Sequence, residues 1–187
     1  IVATGDSIGI NVFRASLIMD EGLYQCTGAS CKMHIFTPYN IQMKGTVKCM
    51  GVSCEIDLDI GQNLILYGDA ALIECDQSDS IIFIQSGNHL YMYDASKIQA
   101  LGYMSTIAMN VTTSISVNDT SLIKTSTIRI ITTTMEVSPS AILDMNGRGY
   151  SAGQGTDVGK AKTDVTFNNH YTCYNEYRAY SGAGGAY

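Results

Sequence analysis

Residues 24–60 decide the fold, and they read YQCTGASCKMHIFTPYNIQMKGTVKCMGVSCEIDLDI. Two segments within this stretch share one pattern, with Gly third and Ser fifth: Cys26-Thr-Gly-Ala-Ser-Cys31 and Cys49-Met-Gly-Val-Ser-Cys54. Each is followed by alternating apolar and polar residues, which is typical of a strand with one buried face. The stretch is therefore a repeat made of a turn and a strand.

The repeat continues on both sides of this stretch as three columns of apolar residues, each with one member per repeat. The members of the first column are Ile10, Met33, Ile56, Ile82, Ile107 and Ile128. The second column contains Leu17, Ile41, Leu64, Leu90, Ile115 and Met135. The third contains Tyr24, Val47, Ile73, Ile98, Ile123 and Leu143. The three columns advance in phase along the chain.

Three short strands per repeat of roughly 24 residues predict an all-β fold, a right-handed, single-stranded parallel β-helix, or β-solenoid. A strand of three to five residues cannot bury its apolar face alone, but stacked strands form one continuous apolar column. Right-handed winding is expected from the crossover rule. An antiparallel sandwich also has many short strands, but it does not predict three columns with one period.

The chain divides by composition near residue 144. Residues 1–144 are expected to form the coils. Residues 145–187 are rich in Gly and Tyr, and we expect a loop and a further partial coil in the same domain, with a strand at 164–167. Neither end shows an obvious cap, so we expect further β-helix segments or neighbouring copies to stack on both ends.

The composition excludes several classes of protein. The chain has 187 residues, 45% hydrophobic and 15% charged, and a net charge of -6. This apolar content excludes disorder, and the negative charge makes nucleic acid an unsuitable partner. No apolar run is long enough to span a membrane. The chain begins without Met or a leader, so we expect a piece of a longer protein.

The cysteines are expected to form disulfides. Cys26 and Cys31 point inward on either side of one corner, as do Cys49 and Cys54 one coil later, so we predict the pairs Cys26–Cys31 and Cys49–Cys54. Cys75 either remains a buried thiol or pairs with Cys173. A bond between stacked cysteines is the alternative. Zinc is a rival, but the spacing without histidines makes a weak ligand set.

Two N-glycosylation sequons, together with the cysteines, indicate a secreted, extracellular location. They are Asn110-Val-Thr and Asn118-Asp-Thr. We predict N-linked glycans on both asparagines.

The outward positions of the coils lack the carboxylates that catalysis needs, because an enzyme of this architecture requires them on adjacent coils. No outward column stacks two of them. Asp57 and Asp59 lie on one strand and are expected to be solvated, and Glu74 lies between Lys48 and Gln99 as part of a salt bridge. We therefore expect no catalytic residue, no cofactor and no metal. The tyrosines of the tail are expected to pack within the loop, and an aromatic surface for carbohydrate or a neighbouring subunit is the alternative.

The coil pattern resembles the right-handed β-helix class typified by pectate lyases. The tail segments Gly147-Arg-Gly-Tyr150, Ala152-Gly-Gln-Gly155 and Ser181-Gly-Ala-Gly184 resemble a Gly-rich signature of large extracellular surface proteins of protists. The second resemblance implies a structural or adhesive role at the cell surface. The first implies polysaccharide lyases or hydrolases as the enzymatic alternative.

The sequence therefore predicts a non-enzymatic structural module of an extracellular fibre or cell-surface coat, part of a longer glycosylated, filament-forming protein. The alternatives are a carbohydrate-active enzyme and a carbohydrate-binding adhesin on the same fold. The expected partners are neighbouring copies or further β-helix segments, and glycans.

Overall fold

The structure is a computed structural model, and it describes residues 1–145, 171–172 and 177–180 of the chain. All regular elements in these ranges are strands. The first nine are β1 (Val2–Thr4), β2 (Gly9–Phe13), β3 (Leu17–Met19), β4 (Leu23–Thr27), β5 (Lys32–Thr37), β6 (Ile41–Met43), β7 (Thr46–Met50), β8 (Glu55–Ile60) and β9 (Asn63–Leu66). The next eight are β10 (Leu72–Cys75), β11 (Ile81–Ser86), β12 (His89–Met92), β13 (Lys97–Ala100), β14 (Thr106–Val117), β15 (Leu122–Lys124), β16 (Thr127–Val137) and β17 (Ile142–Asp144). The tail contributes β18 (Tyr171–Thr172) and β19 (Tyr177–Tyr180).

These strands form a parallel β-solenoid, as the sequence predicts. One face is a seven-stranded sheet in the order β1-β4-β7-β10-β13-β15-β17. The other two faces are continuous with each other in the order β2-β5-β8-β11-β14-β12-β9-β6-β3, with β16 stacked on β14. Pairing between successive coils is parallel throughout. The handedness remains a prediction.

The three predicted columns are confirmed residue by residue. On the first face, Met33 pairs with Ile56, and Ile82 pairs with Ile56 and Ile107. The other columns keep the same register, for example Leu64 with Leu90 and Ile73 with Ile98. The central members are completely buried. At about 25 cal/mol per Å² of apolar surface, this continuous core is the main source of stability.

One corner is missing in the later coils. In earlier coils, the first and second strands are separated at Pro38-Tyr39, Gly61-Gln62 and Gly87-Asn88. The equivalent residues of β14 are Thr112-Thr113, which favour extended backbone. The strand therefore runs through the corner, with a register irregularity between Val111 and Ser114.

The tail covers part of the final coil. β18 and β19 pair antiparallel with β16, with Thr134 opposite Thr172 and Arg129 opposite Arg178. The expectation of an uncapped edge is therefore wrong along β16, because these strands occupy that edge. The strand predicted at 164–167 lies outside the described residues. No helix that could cross a membrane is present in the described part of the chain.

Candidate functional site

The cysteines meet inside one corner of the solenoid, between the seven-stranded face and the first strands. Cys26, Cys49 and Cys75 stack directly on one another in β4, β7 and β10. Cys31 and Cys54 lie across the corner at the start of the next strands. All five side chains are buried. The predicted inward orientation of these cysteines is therefore confirmed.

The turn between paired cysteines is set by the residues that the sequence repeats. Gly28 and Gly51 have φ values of 137° and 148°, and Ser30 and Ser53 have φ values of 54° and 55°. Gly5 and Ser7 repeat this conformation one coil earlier, where Ala3 pairs with Cys26. The same corner is thus built with and without cysteine.

The sulfur atoms form one connected group. The Sγ atoms of Cys26, Cys31 and Cys49 all lie within 4.8 Å of one another. Cys49 also contacts Cys54 and Cys75. Burial, together with the neighbouring Cys31 thiol, raises the pKa of Cys26 to about 12. Contact with Cys49 and burial also raise the pKa of Cys54. The thiols of Cys26 and Cys54 are therefore neutral near pH 7.

The structure brings the predicted disulfide partners together but leaves the pairing open. All five described cysteines are free thiols in the structure. Both local and stacked pairs are in contact, because Cys26 contacts Cys31 and also Cys49. Cys173 lies outside the described residues, so its predicted pairing with Cys75 stays a prediction.

Non-reducing peptide mapping of protein from an oxidising secretory host is expected to recover the bonds Cys26–Cys31 and Cys49–Cys54. Each bond closes a short loop, so each stabilises the fold by about 2 kcal/mol. Cys26→Ala and Cys49→Ala, which copy the native Ala100 of the same column, remove one bond each. Bonds from Cys26 to Cys49, or four free thiols, would contradict the local pairing.

A cluster of aromatic and charged side chains lies outside the same coils. Phe13 contacts His34 at a ring separation of 5.8 Å and Phe36 at 6.1 Å. His34 Nε2 lies 3.7 Å from Asp57 Oδ2, and Asp57 pairs with Phe83 of the next coil. The expectation that Asp57 is simply solvated is too coarse, because its side chain is only 33% exposed.

Burial raises the pKa of Asp57, His34 lowers it, and Asp59 and Glu55 raise it. An acid with a raised pKa in the folded state contributes stability below its unfolded-state pKa, and this is lost as pH rises through the folded-state pKa. Asp57→Asn is therefore expected to be more stable than the parent at pH 7, with little difference near pH 3. Urea unfolding at both pH values measures this. Asp20→Asn, at an exposed position, controls for net charge. An Asp57→Asn effect that is equal at both pH values would contradict the prediction.

A second aromatic group follows strand β12. The rings of His89 and Tyr91 stack at 5.3 Å, and those of Tyr91 and Tyr93 at 6.1 Å. His89 Nδ1 also lies 2.7 Å from Ser114 Oγ in the next coil. The residues alternate along one strand, so the outward face of β12 is an aromatic ridge flanked by hydroxyl groups. The pattern of outward carboxylates in the sequence predicts neither this aromatic ridge nor the contact between Phe13 and His34.

A polar ladder crosses the seven-stranded face at Glu74. Lys48 Nζ lies 2.5 Å from Glu74 Oε1, and Gln99 Nε2 donates to Glu74 Oε2. The predicted position of Glu74 between Lys48 and Gln99 is confirmed, and its side chain is only 8% exposed. This arrangement holds three coils together and leaves the carboxylate fully engaged.

Lys48→Met is expected to lower the free energy of unfolding by about 2 kcal/mol, because it leaves a buried carboxylate without its cation. Lys32→Met is the matched control, since Lys32 pairs with Glu55 at an exposed site. That change is expected to cost less than about 1 kcal/mol. Equal losses in chemical denaturation would show that burial of Glu74 carries no penalty.

The two sequons differ in exposure. Asn110 lies on β14 with an exposed side chain, whereas Asn118 is half-buried at the end of the same strand. Thr120 of the second sequon donates to the backbone carbonyl of Asp94 at 3.1 Å. Glycosylation at both asparagines stays a prediction.

Comparison with protein-family models, curated proteins and solved structures found no match for this chain. The resemblances to pectate lyases and to protist surface proteins therefore rest on the residues quoted above.

Proposed function

We propose that this chain is a non-enzymatic structural module of an extracellular fibre or cell-surface coat. The observation that supports it best is the continuity of the stack: all three columns continue through the described coils. Successive coils are also joined by side-chain ladders, such as Lys48 with Glu74. A rod built in this way resists bending and tolerates surface substitution, because each coil contacts only its neighbours.

The β-helix class typified by pectate lyases and the large protist surface proteins are proposed as its relatives. The resemblances cover the coil pattern of residues 10–144 and the Gly-rich tail. The second resemblance supports a structural role and a location outside the cell.

The N-terminal edge is proposed as the contact with a neighbouring copy or with a further β-helix segment of the same protein. Within the described ranges, β1, β2 and β3 each pair with a strand on one side only. Unpaired strand edges promote association between chains. Val2 and Ile18 on this edge are 61% and 70% exposed. At the opposite end, β18 and β19 occupy the edge of β16, whereas β17 pairs only with β15 among the described strands. The edge of β17 is therefore the proposed partner of this N-terminal edge in a head-to-tail stack, which extends into a fibre.

Light scattering and electron microscopy of the purified chain test the assembly. We expect concentration-dependent association that is weakened in a Val2→Lys/Ile18→Lys variant, because lysine on an edge disfavours further pairing. Ile81→Lys is the control, since Ile81 is exposed in mid-stack β11. A monomer that persists at high concentration would reject self-assembly.

Secretion and glycosylation test the location. We expect the chain to leave a eukaryotic cell when it is fused to a secretory leader, and to lose mass on treatment with an N-glycosidase. Asn110→Gln and Asn118→Gln should each remove one glycan. An unchanged mass at either asparagine would reject that glycan, and an unchanged mass at both would remove this support for an extracellular location.

Carbohydrate binding is a second candidate, favoured by the surface around Phe36 and Asp57. Aromatic rings beside carboxylate and imidazole groups supply stacking and hydrogen bonds together. Calorimetric titration with soluble neutral oligosaccharides is the test. Phe36→Ala should weaken binding there, and Tyr39→Ala, at an exposed position, is the control.

A further inference from the structure

The cysteine corner contains sulfur at positions where packing does not require it. The column of Cys26, Cys49 and Cys75 continues with Ala3 in the preceding coil and with Ala100 in the following coil. The column of Cys54 continues with Ser80 and Ser105 in the next two coils. The backbone N–H of Cys54 donates to Ser80 Oγ, and the backbone N–H of Ser80 donates to Ser105 Oγ. Alanine and serine are thus sufficient to fill this corner, so packing alone does not require the cysteines.

We propose that Cys26, Cys31 and Cys49 bind a single Cu(I) ion when the chain is reduced. Their three Sγ atoms lie within 4.8 Å of one another. A trigonal site with metal–sulfur bonds of about 2.3 Å separates its sulfur atoms by about 4 Å. Movements of less than about 1 Å would therefore close the site. Thiolate ligands select soft metal ions, and Cu(I) is a soft ion that thiolates bind.

The number of sulfur atoms distinguishes Cu(I) from zinc and iron–sulfur clusters. Structural zinc sites need four ligands in a tetrahedron, and clusters need four thiolates. Cys54 and Cys75 contact Cys49, but neither joins the mutual set of three. Charge favours the same ion. Four thiolates around Zn²⁺ carry a net charge of −2 into a dry core, whereas two thiolates around Cu(I) carry −1, and burying the larger charge costs more.

Binding of Cu(I) changes the oxidation state of neither the metal nor the sulfur atoms. Cu(I) forms bonds with two thiolates whose protons pass to solvent, and the third sulfur completes the trigonal set. The surrounding backbone orients the sulfur atoms. Cys26 Sγ lies 3.6 Å from the carbonyl oxygen of Ile8, and Cys31 Sγ lies 3.7 Å from that of Gly5.

The adjacent coil covers these sulfur atoms with Ala3 and Ile8, which are both half-buried. Local opening of that coil admits the ion without disturbing the central stack. The local disulfides would consume all three sulfur atoms, so disulfide formation and metal binding exclude each other.

The test is anaerobic titration of the fully reduced full-length chain with Cu(I), in competition with a chromophoric Cu(I) chelator. We expect one tightly bound ion and an ultraviolet thiolate-to-copper band. Cys31→Ser, which copies Ser80, and Cys26→Ala, which copies Ala100, should each weaken binding by more than about 100-fold, because even changes around the ligands cost 10–100-fold. Circular dichroism checks that each variant is folded.

Two controls remove sulfur atoms outside the site. Cys54→Ser and Cys75→Ala should leave the affinity unchanged, and Cys173 is retained in every variant. Three results would overturn the proposal: no binding by the reduced parent, equal losses in Cys31→Ser and Cys75→Ala, or tighter binding of Zn²⁺ than of Cu(I). Because the titration uses reduced, unglycosylated chain, its result is independent of the proposed extracellular assembly.

Discussion

Leu64→Asp is expected to abolish the folded state. Leu64 lies at the centre of the second face, is completely buried, and stacks between Ile41 and Leu90. Removing its side chain costs about 2–5 kcal/mol, and an unpaired carboxylate in a dry core costs several more. The sum approaches the whole stability of a domain, about 5–15 kcal/mol. The far-ultraviolet β signal and the cooperative urea transition should both be lost.

Gln42→Asp is the matched control for this prediction. Gln42 belongs to the same face one coil earlier, points outward, and stacks between Ile18 and Ile65. The new carboxylate there is hydrated, so the change should cost less than about 0.5 kcal/mol. If Leu64→Asp unfolds at nearly the same urea concentration as Gln42→Asp, the inward assignment of this column is wrong.

The coil architecture could be predicted because the repeat encodes it twice. Alternation along each strand identifies its inward residues, and the recurrence of the pattern once per coil identifies their partners in the next coil. Both constraints give the same pairs, such as Met33 with Ile56 and Ile56 with Ile82. A shift of one residue would expose every inward side chain, so the register has no competing solution.

Strand β1 was not predicted, although its signal was present. Thr4-Gly5-Asp6-Ser7 repeats, one coil earlier, the corner Thr27-Gly28-Ala29-Ser30. The cysteines that mark the later corners are replaced by Ala3 and Ile8. The corner depends on the glycine and serine conformations, so these two residues were the more general signal.

The tail and the outer surface required information that the repeat does not contain. A Gly-rich composition does not indicate the direction in which a strand pairs, so the antiparallel pairing of β18 and β19 with β16 could not be derived from it. The contact of His34 with Asp57 depends on side-chain rotamers in neighbouring coils. Column positions place such residues side by side, but they do not fix which atoms meet.

The sulfur group illustrates the same limit in the interior. The duplicated motif predicts two pairs, each within its own corner. Adjacent strands stack about 4.8 Å apart, so the two pairs also come into contact with each other. Cys49 therefore has neighbours in three directions. The sequence identifies the residues, whereas the distances between coils determine their possible chemistry.

Gly51→Ala is expected to lower the free energy of unfolding by about 3 kcal/mol or more. Gly51 has a φ of 148°, which side-chain-bearing residues rarely adopt, and a Cβ atom there would lie 2.1 Å from the carbonyl oxygen of Gly28. The strained conformation alone costs about 1–3 kcal/mol, and relieving the clash would separate two coils at the cysteine corner.

Gly9→Ala tests whether this loss comes from the corner and not from the added methyl group. A Cβ atom at Gly9 would meet its nearest neighbour, the carbonyl oxygen of Lys32, at 3.7 Å, an ordinary contact. Alanine also restricts the unfolded chain, so this change should be neutral or slightly stabilising. Urea denaturation of both variants measures the difference. If Gly51→Ala matched Gly9→Ala in stability, the close approach of successive corners would be wrong, and the sulfur distances that depend on it would need revision.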